Sequence, residues 1–256
     1  MKSFSLSVVV ITLNEEKNIV RCLKSLRFTR KPEVLVVDAE SRDKTVAAAR
    51  KLGAKVLIRK WKGYADQKNW AFGKVKGDWI LSLDADEELT PELCSEVERV
   101  MSQKAPGFVG YAIKRRAYFL GKWIRHCGWW PDAQLRLIRR GKGKFSNRPV
   151  HEGIEAIGPT GSLEEPMNHY TYDSIAQYLE KMERYSSLFA ANAPFKKRKL
   201  WWVYLVLMPP WIFLRMFLLK LGFLDGWRGL QVCGLSAYHE FVKYAKLGMR
   251  ELLGHE

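Results

Sequence analysis

Trp79-Ile80-Leu81-Ser82-Leu83-Asp84-Ala85-Asp86-Glu87 is a short apolar run that ends in two aspartates separated by one residue. An extended strand sends alternate side chains to one side, so Asp84 and Asp86 can converge on a single hard cation at the strand's mouth. A calcium loop of the helix-loop-helix kind is excluded, because its sixth position would be Leu89 rather than Gly and its twelfth Ser95 rather than Glu. A solvated turn that starts a helix fits as well, since Thr90-Pro91-Glu92 reads as an N-cap, a proline at the first helical position and an acid in the first turn. On these residues alone the metal site and the capping turn stand level, and the flanking sequence decides between them.

Upstream, residues 6–13 form an apolar, β-branched run, followed by Asn14-Glu15-Glu16 and a helical pattern through Ile19, Leu23 and Leu26. Residues 34–37 read as a second buried strand ending at Asp38, and residues 43–52 as a helix closed by Gly53. Residues 56–58 give a third strand, residues 65–75 a third helix and residues 79–83 the fourth strand. This alternation predicts an α/β fold: a mostly parallel sheet with helices on both faces. In such sheets ligands collect outside the carboxyl ends of the strands, which here carry Thr12, Glu15, Asp38, Asp84 and Asp86. No GxGxxG follows the first strand and no P-loop signature occurs anywhere, which disfavours a dinucleotide dehydrogenase and a P-loop NTPase.

Residues 111–172 are less regular, with strand-like pieces at 111–113 and 134–138 among Gly, Pro, Trp and Arg; long loops of this kind usually carry binding or catalysis. Residues 174–191 are again helical, and Lys196-Lys197-Arg198-Lys199 precedes the apolar stretch 200–214, which contains Pro209-Pro210. That stretch is shorter than the roughly 20 residues of a bilayer span, and the proline pair is expected to break it. With Trp201, Trp202, Tyr204 and Trp211 and flanking basic residues, it reads as an interfacial or re-entrant membrane anchor, the other reading being a buried helical hairpin or oligomer contact.

The chain of 256 residues, 47% hydrophobic, is long enough to bury a sizeable core. Its net charge is +16, with 20 Lys and Arg against 15 Asp and Glu in residues 1–105 and 23 against 12 in residues 106–256, so most of the excess lies in the second part. Such a surface favours polyanions: nucleic acid, anionic lipid headgroups or phosphorylated glycans. Cys22, Cys94, Cys127 and Cys233 form no CxxC pair, which predicts free thiols in a reducing compartment. Met1-Lys2-Ser3-Phe4 runs into the first strand without a signal-peptide pattern, so a cytoplasmic protein is expected.

Four stretches resemble, in order, the motifs of family 2 glycosyltransferases with the GT-A fold. They are Val8-Val9-Val10-Ile11-Thr12-Leu13-Asn14-Glu15-Glu16, Val36-Val37-Asp38 with Ser41-Arg42-Asp43-Lys44-Thr45, Gly63-Tyr64-Ala65-Asp66-Gln67-Lys68-Asn69, and Asp84-Ala85-Asp86-Glu87. Further on, Pro131-Asp132-Ala133-Gln134-Leu135-Arg136, Val150-His151-Glu152-Gly153 and Phe223-Leu224-Asp225-Gly226-Trp227-Arg228-Gly229 resemble the bacterial lipopolysaccharide core β-1,4-glucosyltransferase branch. The resemblance implies a GT-A, Rossmann-like domain with its nucleotide-sugar half in residues 1–105 and its acceptor and catalytic half in residues 106–195. Residues 196–256 would be membrane-associating helices.

It also implies an inverting transfer of a hexose, with UDP-glucose the donor and a lipopolysaccharide inner-core heptose the acceptor, at the cytoplasmic face of the inner membrane. Asp86, helped by Asp84 and by His151, is the expected ligand set for a divalent Mg or Mn ion on the diphosphate. Asp132 is the first candidate for the general base, although Pro131 stands where the family usually has an acidic residue, and Glu152 competes with it. Arg136 would bind the diphosphate or an acidic acceptor, its alternative being an exposed strand charge. Asp38 corresponds to the uracil contact, Thr12 and Glu15 to ribose and base contacts, and Lys68 to a base or phosphate contact. The basic clusters Lys114-Arg115-Arg116 and Arg139-Arg140 would help hold a phosphorylated, lipid-linked acceptor at the membrane surface. Two rivals stay open: transfer to a polyprenyl phosphate, and a basic nucleic-acid-binding protein, the latter disfavoured because carboxylates at the strand ends repel phosphates.

Overall fold

The computed structural model describes residues 4–103, 107–146 and 153–253. They form two compact units, one of Met1–Arg115 with Asp132–His169 and one of Arg116–Pro131 with Tyr170–Glu256. In the first, strands β1 (Leu6–Thr12), β2 (Glu33–Asp38), β3 (Lys55–Ile58) and β4 (Trp79–Asp84) alternate with helices α1 (Glu16–Lys24), α2 (Thr45–Lys51) and α3 (Tyr64–Phe72). The strands pair in parallel in the order β3-β2-β1-β4. Every residue of β1 is buried. Val8 and Val10 join a layer with Ile19, Cys22 and Ala49 of the helices, whereas Val9 and Ile11 join another with Ala65 and Ala71 of α3. A parallel strand covered on both faces needs an unbroken apolar sequence, and each such side chain contributes roughly 1.5–3 kcal/mol when fully buried.

After β4 the chain forms β5 (Glu87–Glu88), α4 (Pro91–Met101), β6 (Gly110–Phe119), β7 (Lys122–Trp123), β8 (Asp132–Arg139), β9 (Gly143–Phe145), β10 (Ile154–Ala156), β11 (Thr160–Ser162) and β12 (Met167–Tyr172). Strand β8 lies antiparallel to both β4 and β6, and the sheet path continues through β12 to β5. Thr90 does cap α4, accepting the Leu93 N–H at 3.2 Å with Pro91 next to it. Strands β6 and β8 extend well beyond the pieces expected at 111–113 and 134–138. Of the charged residues of β6, Lys114 pairs with Glu164 and Arg115 with Asp132 and Glu87, while Arg116 lies over the Trp123 ring at 5.1 Å.

The second unit holds α5 (Ile175–Asn192), α6 (Phe195–Lys199), α7 (Trp201–Leu214) and α8 (Trp227–Leu253), with a π-helical turn at Arg215–Leu219 and a 3₁₀ turn at Gly222–Asp225. Ser174 caps α5 by accepting the Gln177 N–H at 3.1 Å. Contrary to the expectation for residues 200–214, Pro209 and Pro210 lie inside α7 and do not break it. Proline's fixed φ is compatible with a helix, so the chain continues through the pair, at the cost of two N–H donors and of the rings' crowding against the carbonyls one turn back. The helical run Trp201–Leu219 is 19 residues long and apolar enough to cross a membrane by length and composition; none of it is fully buried, although Tyr204, Leu205, Met208, Phe213 and Phe217 pack against the core of this unit. All four cysteines are buried free thiols.

Helix α8 carries two glycines in opposite settings. A Cβ at Gly229 would overlap the Gly222 carbonyl oxygen, whereas one at Gly234 would meet nothing within 4 Å. Gly229→Ala is expected to lower stability by about 1–3 kcal/mol through overpacking, and Gly234→Ala to raise it by about 0.4–1 kcal/mol through reduced unfolded-state entropy. Thermal unfolding of both variants in neutral detergent, followed by far-ultraviolet circular dichroism, checks the two signs.

Candidate functional site

The parallel register sets Thr12 beside Asp38 at the carboxyl ends of β1 and β2. Asp38 is fully buried. Its carboxylate accepts hydrogen bonds from Thr12 Oγ1 at 2.9 Å, the Ser41 N–H at 2.8 Å and Ser41 Oγ at 2.5 Å. A carboxylate has about four acceptor positions, so roughly one is left. At the start of α1 the Glu15 N–H donates to Thr45 Oγ1 at 2.7 Å, and its carboxylate accepts from Asn18 Nδ2 at 2.8 Å. The strand ends thus form a polar rim that is already tied together by the chain's own donors.

At the tip of β4 a run of alternating charges begins. Asp84 lies 2.7 Å from Lys68 Nζ of α3 and 2.7 Å from Arg136 Nη2 of β8. The same Arg136 nitrogen donates to Glu87 Oε1 at 2.5 Å, and Arg115 Nη1 of β6 reaches that oxygen at 3.3 Å. Arg115 in turn holds Asp132 Oδ2 with its Nε at 2.9 Å and with its Nη2, while Gln134 Nε2 donates to Asp132 Oδ1 at 2.9 Å. The order is Lys68, Asp84, Arg136, Glu87, Arg115, Asp132: three cations and three anions. Glu87 also closes the tip, since its Oε2 accepts the Asp84 N–H at 2.9 Å.

Burial opposes the charge on Asp84, but Arg136 and then Lys68 outweigh it and hold the carboxyl well below its ordinary range. Burial likewise opposes the charge on Arg136, and Asp84 and Glu87 overcome it and raise its pKa. A lowered carboxylate pKa contributes stability that is fully present above the ordinary value of about 4 and is lost as pH falls through the lower folded value. Asp84 therefore stays ionised throughout the neutral range.

Beyond Asp84, His169 of β12 brings Nε2 to 3.4 Å from Asp86 Oδ2. The antiparallel pairing of His169 with Glu87 places it there. Carboxylate oxygen and imidazole nitrogen are donors that Mg or Mn accepts, so the Asp86–His169 pair has the donor chemistry for a divalent ion, while both oxygens of Asp84 are engaged by Lys68 and Arg136. Among the described residues, however, no group of three or more His, Cys, Asp or Glu side chains is already gathered as a metal cage. His151 and Glu152, expected as metal ligand and competing base, lie outside the described residues.

Other expected residues take definite places. Arg136 is not an exposed strand charge: it is buried and shared between two carboxylates. Asp132 opens β8. Lys68 is buried, with its ammonium also 4.9 Å from the centre of the Phe145 ring. Arg115, expected in an acceptor-binding cluster, is held by Glu87 and Asp132. In the second cluster Arg139 stacks over Trp79 at 5.2 Å and Arg140 Nε donates to the Gly77 carbonyl at 3.0 Å. Glu87 and His169 were missing from the sequence-based site, and Arg115 was expected at the acceptor rather than on Asp132. His169 sits in Met167-Asn168-His169-Tyr170-Thr171-Tyr172, whose alternation marks a strand, but nothing local to it points to Asp86.

Residues 7–154 match the model of glycosyl transferase family 2. An uncharacterized glycosyltransferase of Rickettsia typhi is 33% identical, over 96% of this chain and 87% of its own length. The lipopolysaccharide core biosynthesis glycosyltransferase LpsC of Rhizobium meliloti is 31% identical, over 97% of this chain and 93% of its own. Among solved structures, the mannosyltransferase PcManGT of Pyrobaculum calidifontis, in complex with GDP-Man and Mn2+, aligns over 99% of this chain and 88% of its own with a TM-score of 0.54 and 15% identity. That likeness agrees with a GT-A fold.

Arg136→Met would leave Glu87 and Asp84 short of a cation and is expected to destabilise the first unit by about 3–5 kcal/mol, as for a broken buried ion pair. Adding Glu87→Gln should recover part of the loss, because it removes the stranded charge. Urea unfolding of the single and double variants at neutral pH measures both effects.

Proposed function

The chain belongs to glycosyl transferase family 2, and on that basis we propose that it transfers glucose from UDP-glucose to a heptose of the lipopolysaccharide inner core. The observation that carries this reading is the full-length similarity to LpsC, joined to acidic strand ends in the positions where open α/β sheets bind ligands. The reaction is a single inverting displacement at the anomeric carbon. Thr12, Glu15 and the remaining acceptor position of Asp38 bind the uridine. Asp86 and His169 would hold a Mg or Mn ion, which would supply countercharge to the departing diphosphate.

Asp132 takes the proton of the attacking acceptor hydroxyl. Arg115 and Gln134 fix the direction of its carboxylate, and Arg115 shares Glu87 with Arg136, so the base is tied mechanically to the tip of β4. Lys68 and Arg136 position Asp84. The exposed apolar run Trp201–Leu219 and the basic residues before it attach the enzyme to the cytoplasmic face of the inner membrane, where its lipid-linked acceptor is found.

A donor screen by sugar-nucleotide hydrolysis, followed by transfer to truncated core oligosaccharide and to polyprenyl phosphate, tests donor and acceptor together. Product on the lipid phosphate alone would overturn the acceptor. Asp86→Ala and His169→Ala should keep the fold and lose the metal-dependent part of UDP affinity, read by calorimetry with and without chelator. For Asp132→Asn, donor binding should survive while transfer drops by roughly 100-fold or more. If Glu152→Gln alone abolishes turnover with donor binding intact, the base is Glu152.

A further inference from the structure

We propose that a second site, in the helical unit and separate from the charge ladder, binds the phosphate of an anionic phospholipid. The site is a cavity of about 730 Å³ whose wall includes Arg125, Arg215, Lys220 and His239 together with Ile212 and Leu219. The volume lies in the range of ordinary small-ligand pockets. It rests on the membrane attachment proposed above and is independent of the donor and acceptor.

The chemistry of the wall points to phosphate. Among the described residues no carboxylate lies within ion-pair distance of Arg125, Arg215 or Lys220. The Arg125 guanidinium is held 4.6 Å over the Trp123 ring instead, an arrangement that fixes the group and leaves its N–H donors for a ligand. The two acidic groups near the cavity are engaged elsewhere. Glu240 pairs with Lys243 at 2.7 Å. Asp225 accepts the backbone N–H groups of Arg125 at 3.2 Å and His126 at 2.8 Å, which pins the loop carrying Arg125. His239 Nε2 is enclosed and has no hydrogen-bond partner among the described residues. In the Nε2–H tautomer it is an unsatisfied donor, and buried polar atoms of this kind usually have a partner.

The surroundings identify the phosphate as a lipid's. Arg215 and Leu219 belong to the apolar run Trp201–Leu219, whose outer side exposes Trp202, Val206, Leu207, Trp211, Leu214 and Leu218, and Lys220 follows it directly, so cations line the cavity at one end of that apolar side. Cations at the end of an apolar helical surface match a headgroup above acyl chains. Ile212 and Leu219 offer those chains a path along the helix.

The full chain in neutral maltoside micelles is titrated with dihexanoylphosphatidylglycerol, dihexanoylphosphatidylcholine or inorganic phosphate, with tryptophan emission as readout because Trp129 and Trp130 line the cavity. The expected result is saturable binding of the phosphatidylglycerol only, weakened roughly tenfold or more in Arg215→Gln/Lys220→Gln and in Arg125→Gln, as for lost charge-assisted hydrogen bonds. Circular dichroism confirms that each variant is folded, and the single change at Arg125 stands in if the double variant is not. Equal binding of the neutral lipid, an equal response to inorganic phosphate, no saturation, or unchanged affinity in folded variants would each overturn the proposal. Flotation with phosphatidylcholine vesicles, with and without phosphatidylglycerol, is scored separately: failure to float on either refutes membrane attachment, while saturable binding in micelles still upholds the pocket.

Discussion

Glu87 has no exposed surface, and its charge is tolerated only because guanidinium groups from β8 and β6 both reach it. A carboxylate at that depth without cations would be strongly destabilising. The requirement propagates outward. Strand β8 runs antiparallel between β4 and β6, so Arg136 and Arg115 reach Glu87 from neighbouring strands, and the same register pairs Arg115 with Asp132. Once Arg136 is in place it also fixes Asp84, and Lys68 completes the neutralisation from α3. The geometry of the candidate site is therefore a by-product of satisfying one buried acid.

How much of this is legible in the sequence depends on the range of the signal. The strands β1 to β4 announce themselves because a sheet covered on both faces needs contiguous apolar runs, and the polar residues at their ends are adjacent in sequence to those runs. Thr90-Pro91 is a local capping pattern and works as one. Arg115 and His169 give no such signal. Their partners lie 28 residues away for Arg115 and Glu87, and in the turn between β4 and β5 for His169 of β12, so only the folded register joins them. Charged Lys114, Arg115 and Arg116 also made β6 look shorter than it is, because residue type alone does not reveal which charges will find partners.

In the second unit the misleading feature was the proline pair. Proline is judged by the hydrogen bonds it removes, yet its backbone angle suits a helix, and α7 continues through Pro209-Pro210 into the π-helical turn. The result is a longer apolar surface than the sequence pattern suggested. Its exposed members include Trp202, Trp211, Leu214 and Leu219. Tight packing elsewhere in this unit relies on the absence of side chains, above all at Gly229 against the Gly222 carbonyl.

The ladder also has a consequence for the order of folding. Asp84 and Arg136 are 52 residues apart, so as the chain is made β4 is complete long before β8 can lie against it. During that interval β4 is a sheet edge, and an unpaired apolar edge is prone to pair with a neighbouring molecule. Asp84, Asp86, Glu87 and Glu88 stand at its end, and of the ladder's cations only Lys68 of α3 is already made to meet Asp84. Their mutual repulsion between molecules guards that edge until β8 arrives with Arg136, which cancels the charge in the act of covering the strand.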